Sequence, residues 1–279
     1  MDLQDRKDKC IFWNPHWQGG AEVGAYYGSE ELVRRFLAGQ EVISIPATTE
    51  PMETEPVNDI LGYQVIVDQL REATRIVAEH PSCRTFTVTG SCDADVPTIA
   101  AMNARLDGDL ALIWMDAHAD INSPSESPTK LFYGMPVRAL LGDCGDVFTS
   151  MLPRTLEDTQ IVNFGGRDLD AGEVNYFKNH RIPQIDSRAD DALEQAILAI
   201  KATGRKHLYI HLDLDLLNPP DFPTTPIPVP NGMPADRLMP ILHRLKEEFD
   251  VVAFSLNECM PIGYEHPLLK EIMEFGLSI

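Results

Sequence analysis

Leu112-Ile113-Trp114-Met115-Asp116-Ala117-His118-Ala119-Asp120 decides the fold, because an apolar run that reads as a buried strand ends in three metal-capable side chains at alternate positions. In an extended backbone, residues i, i+2 and i+4 project to one side. Asp116, His118 and Asp120 are therefore expected to converge just past the strand. About a hundred residues later the arrangement returns in Leu208-Tyr209-Ile210-His211-Leu212-Asp213-Leu214-Asp215, where two carboxylates are expected to share one face of a second strand. Four carboxylates and an imidazole brought together repel as anions unless cations sit among them. The pattern points to a two-metal hydrolytic site.

Outward from these two stretches, apolar runs alternate with amphipathic segments. Strands are expected at Cys10 to Trp13, Glu41 to Ile45, Thr85 to Val88, Leu110 to Met115, Ile161 to Phe164, His207 to Leu212 and Val251 to Leu256. Helices are expected at Gly28 to Leu37 (capped by Ser29), Ile60 to Glu79, Pro97 to Arg105, Met135 to Leu141, Leu193 to Ala202, Ala235 to Glu247 and Leu268 to Phe275. Such alternation implies an α/β fold, a three-layer αβα arrangement with a mainly parallel central sheet. No internal repeat or linker divides residues 1–279, so a single domain is expected. In open parallel sheets ligands sit at the carboxyl ends of strands. Here Cys92, Asp116 to Asp120, Asp168 to Glu173, Asp213 to Asp215 and Glu258 each follow a strand, so separate strands deliver polar groups to one edge.

The composition sets bounds on partners. With 23 Lys+Arg against 43 Asp+Glu, the formal net charge of −20 disfavours nucleic acid and anionic membranes. A hydrophobic fraction of 44% supplies a core and argues against disorder. No apolar stretch approaches the ~20 residues that span a bilayer. The five cysteines (Cys10, Cys83, Cys92, Cys144 and Cys259) are scattered and form no C-x-x-C pair. With no apolar signal segment at its start, the chain is expected to be a cytoplasmic protein without structural disulfides. The charged start, Met1 to Lys9, is expected to fray.

From about Trp17 to Pro261 the chain resembles the arginase and agmatinase family of manganese-dependent ureohydrolases. Asp116-Ala117-His118-Ala119-Asp120-Ile121-Asn122 is similar to the family's D-A-H-x-D-I-N signature, and Asp213-x-Asp215 to its D-x-D signature. The resemblance implies two divalent metal ions, manganese above all. Asp116 and Asp213 would bridge them, Asp120 would complete one shell, and His118 and Asp215 would bind the other ion. Between them the ions would acidify a bridging water, and Asp120 would position it and relay a proton. Glu258 matches the family glutamate that orients the guanidinium. Asn122 and Thr129 fall where arginases hold a substrate α-carboxylate. Asp170 and Glu173, in Arg167-Asp168-Leu169-Asp170-Ala171-Gly172-Glu173, fall where they hold the α-amino group. The implied substrate is a small guanidino or amidino compound, an amino acid in preference to agmatine, and the implied assembly is a homo-oligomer, trimer or hexamer.

Four positions depart from the family pattern. Thr89-Gly90-Ser91-Cys92 stands where the family has G-G-D-H, which puts a cysteine in place of a histidine ligand. A thiolate is soft and favours zinc, iron or cobalt over manganese. Cys92 is expected either to ligate a metal or to pack as a small apolar residue. Tyr133-Gly134-Met135-Pro136 replaces H-G-x-P and its proton-shuttling histidine, Asn218-Pro219 replaces D-P, and Glu258-Cys259-Met260-Pro261 replaces E-x-N-P. Two other outcomes stay open: a family member that binds without catalysis, and a related formimino or deacylating metal hydrolase. Asp170 and Glu173 could instead cap the helix that follows, and Thr129 could be an ordinary loop hydroxyl. His211 shares a strand face with Asp213 by alternation, which would let it support a ligand from behind. The other histidines belong to no motif, and Trp13 to Gly20 is expected to pack at the sheet edge.

Overall fold

The computed structural model describes residues 9–82 and 84–279, so the charged start up to residue 8 and Cys83 lie outside the described residues, while Lys9 opens the first strand. Eight strands form one parallel sheet: β1 (Lys9–Asn14), β2 (Val42–Ser44), β3 (Arg84–Thr89), β4 (Leu110–Met115), β5 (Ile161–Phe164), β6 (Gln184–Ile185), β7 (His207–Asp213) and β8 (Asp250–Asn257). Their order across the sheet is β2-β1-β3-β8-β7-β4-β5-β6. Helices α1 (Gly24–Phe36), α2 (Tyr63–Glu79), α3 (Val96–Arg105), α4 (Pro136–Leu140), α5 (Asp146–Met151), α6 (Ala171–Asn179), α7 (Ala192–Ala202), α8 (Leu238–Glu248) and α9 (Pro267–Leu277) cover it. The expected three-layer α/β fold is what forms. Among the described residues no helix is long and apolar enough to cross a membrane.

The central strands are apolar on both faces because helices cover both. All of β4 is buried, which is why its sequence reads as an unbroken apolar run rather than an alternating one. Alternation still sorts the side chains. Ile113, Met115, Ile210, Leu212 and Phe254 pack with α7, α8 and α9 in one cluster, while Leu112, Trp114 and Tyr209 pack with α3 in another. Burying a side chain of this size stabilises the fold by roughly 1.5–3 kcal/mol each.

The strand order explains where chemistry can happen. The chain passes from β3 to β4 across two places in the sheet that β7 and β8 later fill, and such switch points open a crevice at the carboxyl ends of strands. The strands that precede the five polar groups, β3, β8, β7, β4 and β5, are consecutive neighbours. One expectation fails locally. Ser29 lies inside α1, and its hydroxyl donates to the Tyr26 carbonyl at 2.8 Å instead of capping the helix. The extra turn runs over Gly24 and Gly28, where α1 approaches the chain after β8: a Cβ on Gly28 would lie 1.7 Å from the Cys259 carbonyl oxygen. Two short elements, α5 and β6, have too few residues to show a period.

Gly90 ties three chain segments at the end of β3. Its N–H donates to the Asn14 carbonyl (3.0 Å), and its own carbonyl accepts from Glu258 N (3.1 Å). A Cβ there would lie 2.1 Å from the His16 carbonyl oxygen, and backbone on both sides leaves nothing soft to yield. Gly90→Ala is expected to destabilise by roughly 1–3 kcal/mol. Gly134→Ala, where an added Cβ meets nothing within 4 Å, is expected to leave stability within about 0.5 kcal/mol. Chemical denaturation of both variants checks the contrast, and equal losses would contradict it.

Candidate metal centre

The two acidic stretches are built by the same backbone device. β4 ends at Met115 and β7 at Asp213, so neither set of side chains continues an extended strand. Asp116 Oδ1 accepts the N–H of His118 at 2.7 Å, and Asp213 Oδ1 accepts the N–H of Asp215 at 2.7 Å. Each strand-end aspartate thus folds the chain back on itself, in the way Asx turns do. Asp120 then sits in the left-handed region at φ 53°, with its carbonyl accepting Val137 N at 3.0 Å. The expected convergence of Asp116 with His118 occurs, but through turns rather than through strand alternation.

Three overlapping donor groups result, each with its ligand atoms within 4.8 Å of one another: Asp116 with His118 and Asp215, Cys92 with Asp213 and Glu258, and Cys92 with Asp116 and His211. Asp116 joins two of them. Its Oδ1 lies 3.4 Å from His118 Nδ1, and its Oδ2 lies 3.8 Å from Cys92 Sγ and 3.1 Å from Trp114 Nε1. His118 Nδ1 is 2.9 Å from Asp215 Oδ2, while Asp215 Oδ1 accepts Ala117 N at 3.0 Å. The Cys92 thiol reaches Asp213 Oδ2 at 3.1 Å, and Glu258 Oε1 accepts the Cys92 N–H at 3.3 Å. Cys92 thus stands beside the carboxylates while also packing in the apolar cluster with Val96 and Trp114. Among the described residues Asp120 belongs to none of the three groups, although its buried carboxyl feels the charges of Asp116, Glu173 and Glu258.

The electrostatics record the crowding. Burial, with Asp215 and Asp116 next, pushes the Glu258 carboxyl up to about 8. Burial and the Asp215 and Asp116 charges likewise raise Asp213, and burial and Asp116 raise Asp120. Burial and then Asp213 raise the Cys92 thiol well above its ordinary value. His118 is raised as well: burial opposes its charge, but the Asp215 and Asp116 carboxylates hold it protonated far above the usual imidazole range. Raised carboxyls and a charged His118 both lessen the negative charge of the cluster.

The residues expected near a substrate fall into two sets. Asn122 Nδ2 donates to Asp170 Oδ2 at 2.8 Å, and Asn122 Oδ1 is buried without a partner. Asp170 and Glu173 form a reciprocal capping box at the start of α6, and Glu173 Oε1 also accepts Ile121 N at 3.2 Å. Helix capping is therefore one role these two side chains do fill. Burial pushes Glu173 up to about 7. Thr129 stands apart: it is exposed and closes a local turn, accepting Leu131 N at 3.3 Å. Burial, and after it Glu258, raises the Tyr133 phenol further above its ordinary value, so it stays protonated.

Some structural roles escaped sequence reasoning. Arg167 donates to the carbonyls of Asp215 (2.8 Å), Val229 (2.8 Å) and Pro230 (3.1 Å), clamping the chain after the second acidic stretch. Asp95, in the short 3-10 turn before α3, accepts from Tyr209, Ser255 and His211. The available signal was polarity at period two inside apolar strands, Tyr209-x-His211-x-Asp213 and Ser255-x-Asn257.

A carboxyl whose pKa is raised on folding stabilises the fold fully below its unfolded value, and that contribution is lost as pH rises through the folded value. The unfolded values lie near ~4 and Glu258 sits at about 8. The raised His118 has the same sign. The melting temperature of the chelator-treated protein is therefore expected to fall by several degrees between pH ~5 and ~8, and saturating divalent metal is expected to reverse the trend. Melting curves across that range with and without metal check it. A flat metal-free profile would contradict the crowding.

The comparisons with known proteins agree with the fold and the motifs. A model of the arginase family matches residues 24–266. The arginase of Staphylococcus aureus (strain MRSA252) is 27% identical over 213 residues, which cover 74% of this chain and 70% of that protein. The arginase of Saccharomyces cerevisiae is 30% identical over 213 residues, 70% of this chain and 64% of that protein. Among solved structures, the arginase of Entamoeba histolytica in complex with L-ornithine superposes with a TM-score of 0.85 at 20% identity over 97% of both chains, a likeness of fold. With the family model matching most of its length, this chain belongs to the arginase family.

Proposed function

We propose that the protein is a metal-dependent amidinohydrolase that cleaves the guanidino group of arginine, or of a closely related amino acid, to urea and an amine. The observation that carries this is Asp116, whose two oxygens serve two different donor groups at neighbouring strand ends. The arginase family binds a binuclear metal centre. The donors here fit such a centre, because buried carboxylates, a thiol and imidazoles converge within 4.8 Å of one another in each group. Cys92 and Asp120 would hold one ion, His118 and Asp215 would hold the other, and Asp116 and Asp213 would serve both. Two bound divalent ions would supply water that ionises near neutral pH instead of at ~16.

The chain's own residues supply the remainder. Glu258, freed of its proton by nearby positive charge, presents two oxygens that match the paired N–H groups of a guanidinium. Its position is fixed by backbone, since its N–H donates to Gly90 and its Oε1 takes the Cys92 N–H. Asp120, the raised carboxyl beside Asp116, accepts a proton from the attacking water and delivers it to the leaving nitrogen. Asn122, Asp170 and Glu173 line the approach after β4 and β5 and discriminate for the amino-acid end of the substrate, with Thr129 further out on the loop. Tyr133, held protonated, is a poor replacement for an imidazole shuttle, so turnover is slow.

The test is metal content together with urea release from arginine and agmatine under manganese, cobalt or zinc. Two equivalents of metal, with urea from arginine exceeding that from agmatine, is the expected result. Metal uptake with no urea from either would favour a formimino or deacylating hydrolase, and less than one equivalent would favour a non-catalytic member. Glu258→Gln is expected to lower kcat/KM for arginine by about 10–100-fold, the worth of a hydrogen bond to a charged group. Tyr133→His is expected to raise kcat by ~10-fold or more, since acid–base assistance is worth 10²–10⁴-fold when well placed.

A further inference from the structure

His211 sits on β7 two residues before Asp213, side by side with Trp114 of β4 in the sheet register. The two rings stack at 3.4 Å between centroids and 6° between planes, and His211 is fully buried. Stacking covers one face of the imidazole and leaves its two nitrogens, in the ring plane, as the polar contacts. Nδ1 lies 2.9 Å from Asp95 Oδ2, 3.2 Å from Asn257 Nδ2 and 3.4 Å from Ser255 Oγ. The nearest of these is a carboxylate oxygen that also accepts from the Ser255 hydroxyl at 2.5 Å, and Asn257 Nδ2 has the Leu212 carbonyl at 3.0 Å. Nδ1 therefore carries the proton and donates it to Asp95. Nε2 is left with a bare lone pair, buried and with no hydrogen-bond partner.

An orphaned acceptor of this kind costs on the order of 1–3 kcal/mol unless something fills it. The group that His211 enters names what would: a ring nitrogen of His211, Cys92 Sγ and an Asp116 carboxylate oxygen lie within 4.8 Å of one another. We propose that His211 is a direct metal ligand, its Nε2 completing with Cys92 and Asp116 the position that Cys92 shares with Asp213. The imidazole missing from the loop after β3 is thus supplied from β7, two strands away in the sheet. Asp95 is its positioning residue, in the carboxylate–histidine–metal arrangement that fixes tautomer and ring orientation. Tyr209, whose hydroxyl is 2.5 Å from Asp95 Oδ1, holds that carboxylate in turn. A thiolate, an imidazole and a carboxylate together select zinc, iron(II) or cobalt over manganese. This assignment rests on the metal-dependent hydrolase proposed above only in requiring a metal, not in requiring guanidino chemistry.

Cobalt(II) loading of the full chain tests it without reference to turnover. The wild type is expected to show a cobalt–thiolate charge-transfer band in the near ultraviolet, absent in Cys92→Ser. His211→Asn is expected to weaken cobalt affinity at the thiolate-bearing position by ~100-fold or more, beyond the ~10-fold to 100-fold expected of Asp95→Asn, which removes only an outer partner. A metal-free melting curve for each variant separates lost ligation from lost fold. If His211→Asn unfolds, nitrogen scattering in the X-ray absorption spectrum of the wild-type cobalt protein decides, with one sulfur and at least one imidazole at the same ion expected. His211→Asn that binds cobalt like the wild type, or a thiolate-bearing ion with no imidazole, overturns the proposal. So does a wild type that takes up no metal. Cobalt binding that depends on His211 without urea release would instead sink the guanidino substrate while leaving the ligand in place.

Discussion

Mutual repulsion among buried anions is the constraint on which this structure turns. Asp116, Asp120, Asp213, Asp215 and Glu258 are each almost wholly buried, and all stand where neighbouring parallel strands end. Removing one carboxylate from water already costs several kcal/mol after relaxation, and grouping five multiplies the cost. The molecule without cations escapes by holding protons, which is why Glu258 and Asp213 are pushed up while His118 is kept charged between Asp215 and Asp116. A fold selected only for stability would not assemble such a set. The surrounding framework is accordingly rigid: β4, β7 and β8 are buried along nearly their whole length, so the strand ends cannot drift apart to relieve the strain.

That rigidity is transmitted by backbone as much as by side chains. The two Asx turns, the Gly90 junction with Asn14 and Glu258, and the Arg167 clamp on the chain after Asp215 each fix where a carboxylate points. Placement of this kind matters because metal ligation tolerates little error in distance. It also separates two jobs within one stretch. The Asp170 and Glu173 pair is spent on capping α6, and that cap also brings Asp170 against Asn122.

The departures from the family pattern are not independent. In the proposed centre Cys92 takes a histidine's place, and burial raises its thiol well above the ordinary value. The nitrogen proposed to compensate, on His211, lies on a different strand, with Asp95 of the loop region after β3 against its ring. Tyr133 has no comparable replacement near it in the metal groups among the described residues. The two departures thus sit in different surroundings, even though both read as simple substitutions in the sequence.

By itself the sequence determined the class of fold, the parallel sheet and the edge at which chemistry gathers. Periodicity and apolar runs are local properties, and each acidic residue advertises itself by following a strand. Spacing along the chain also set Asp116 with His118 and Asp213 with Asp215, while Cys92 came to them only through the family resemblance. Sequence reasoning expected an extended run to aim Asp120, whereas the chain turns after Met115 and leaves it at φ 53°. Only the tertiary structure decided which strands are neighbours, and hence that His211, Asp95 and Cys92 meet, since residues so distant in the chain are joined by sheet order alone. Pairing between strands is set by packing of the whole sheet, and no local pattern carries that information.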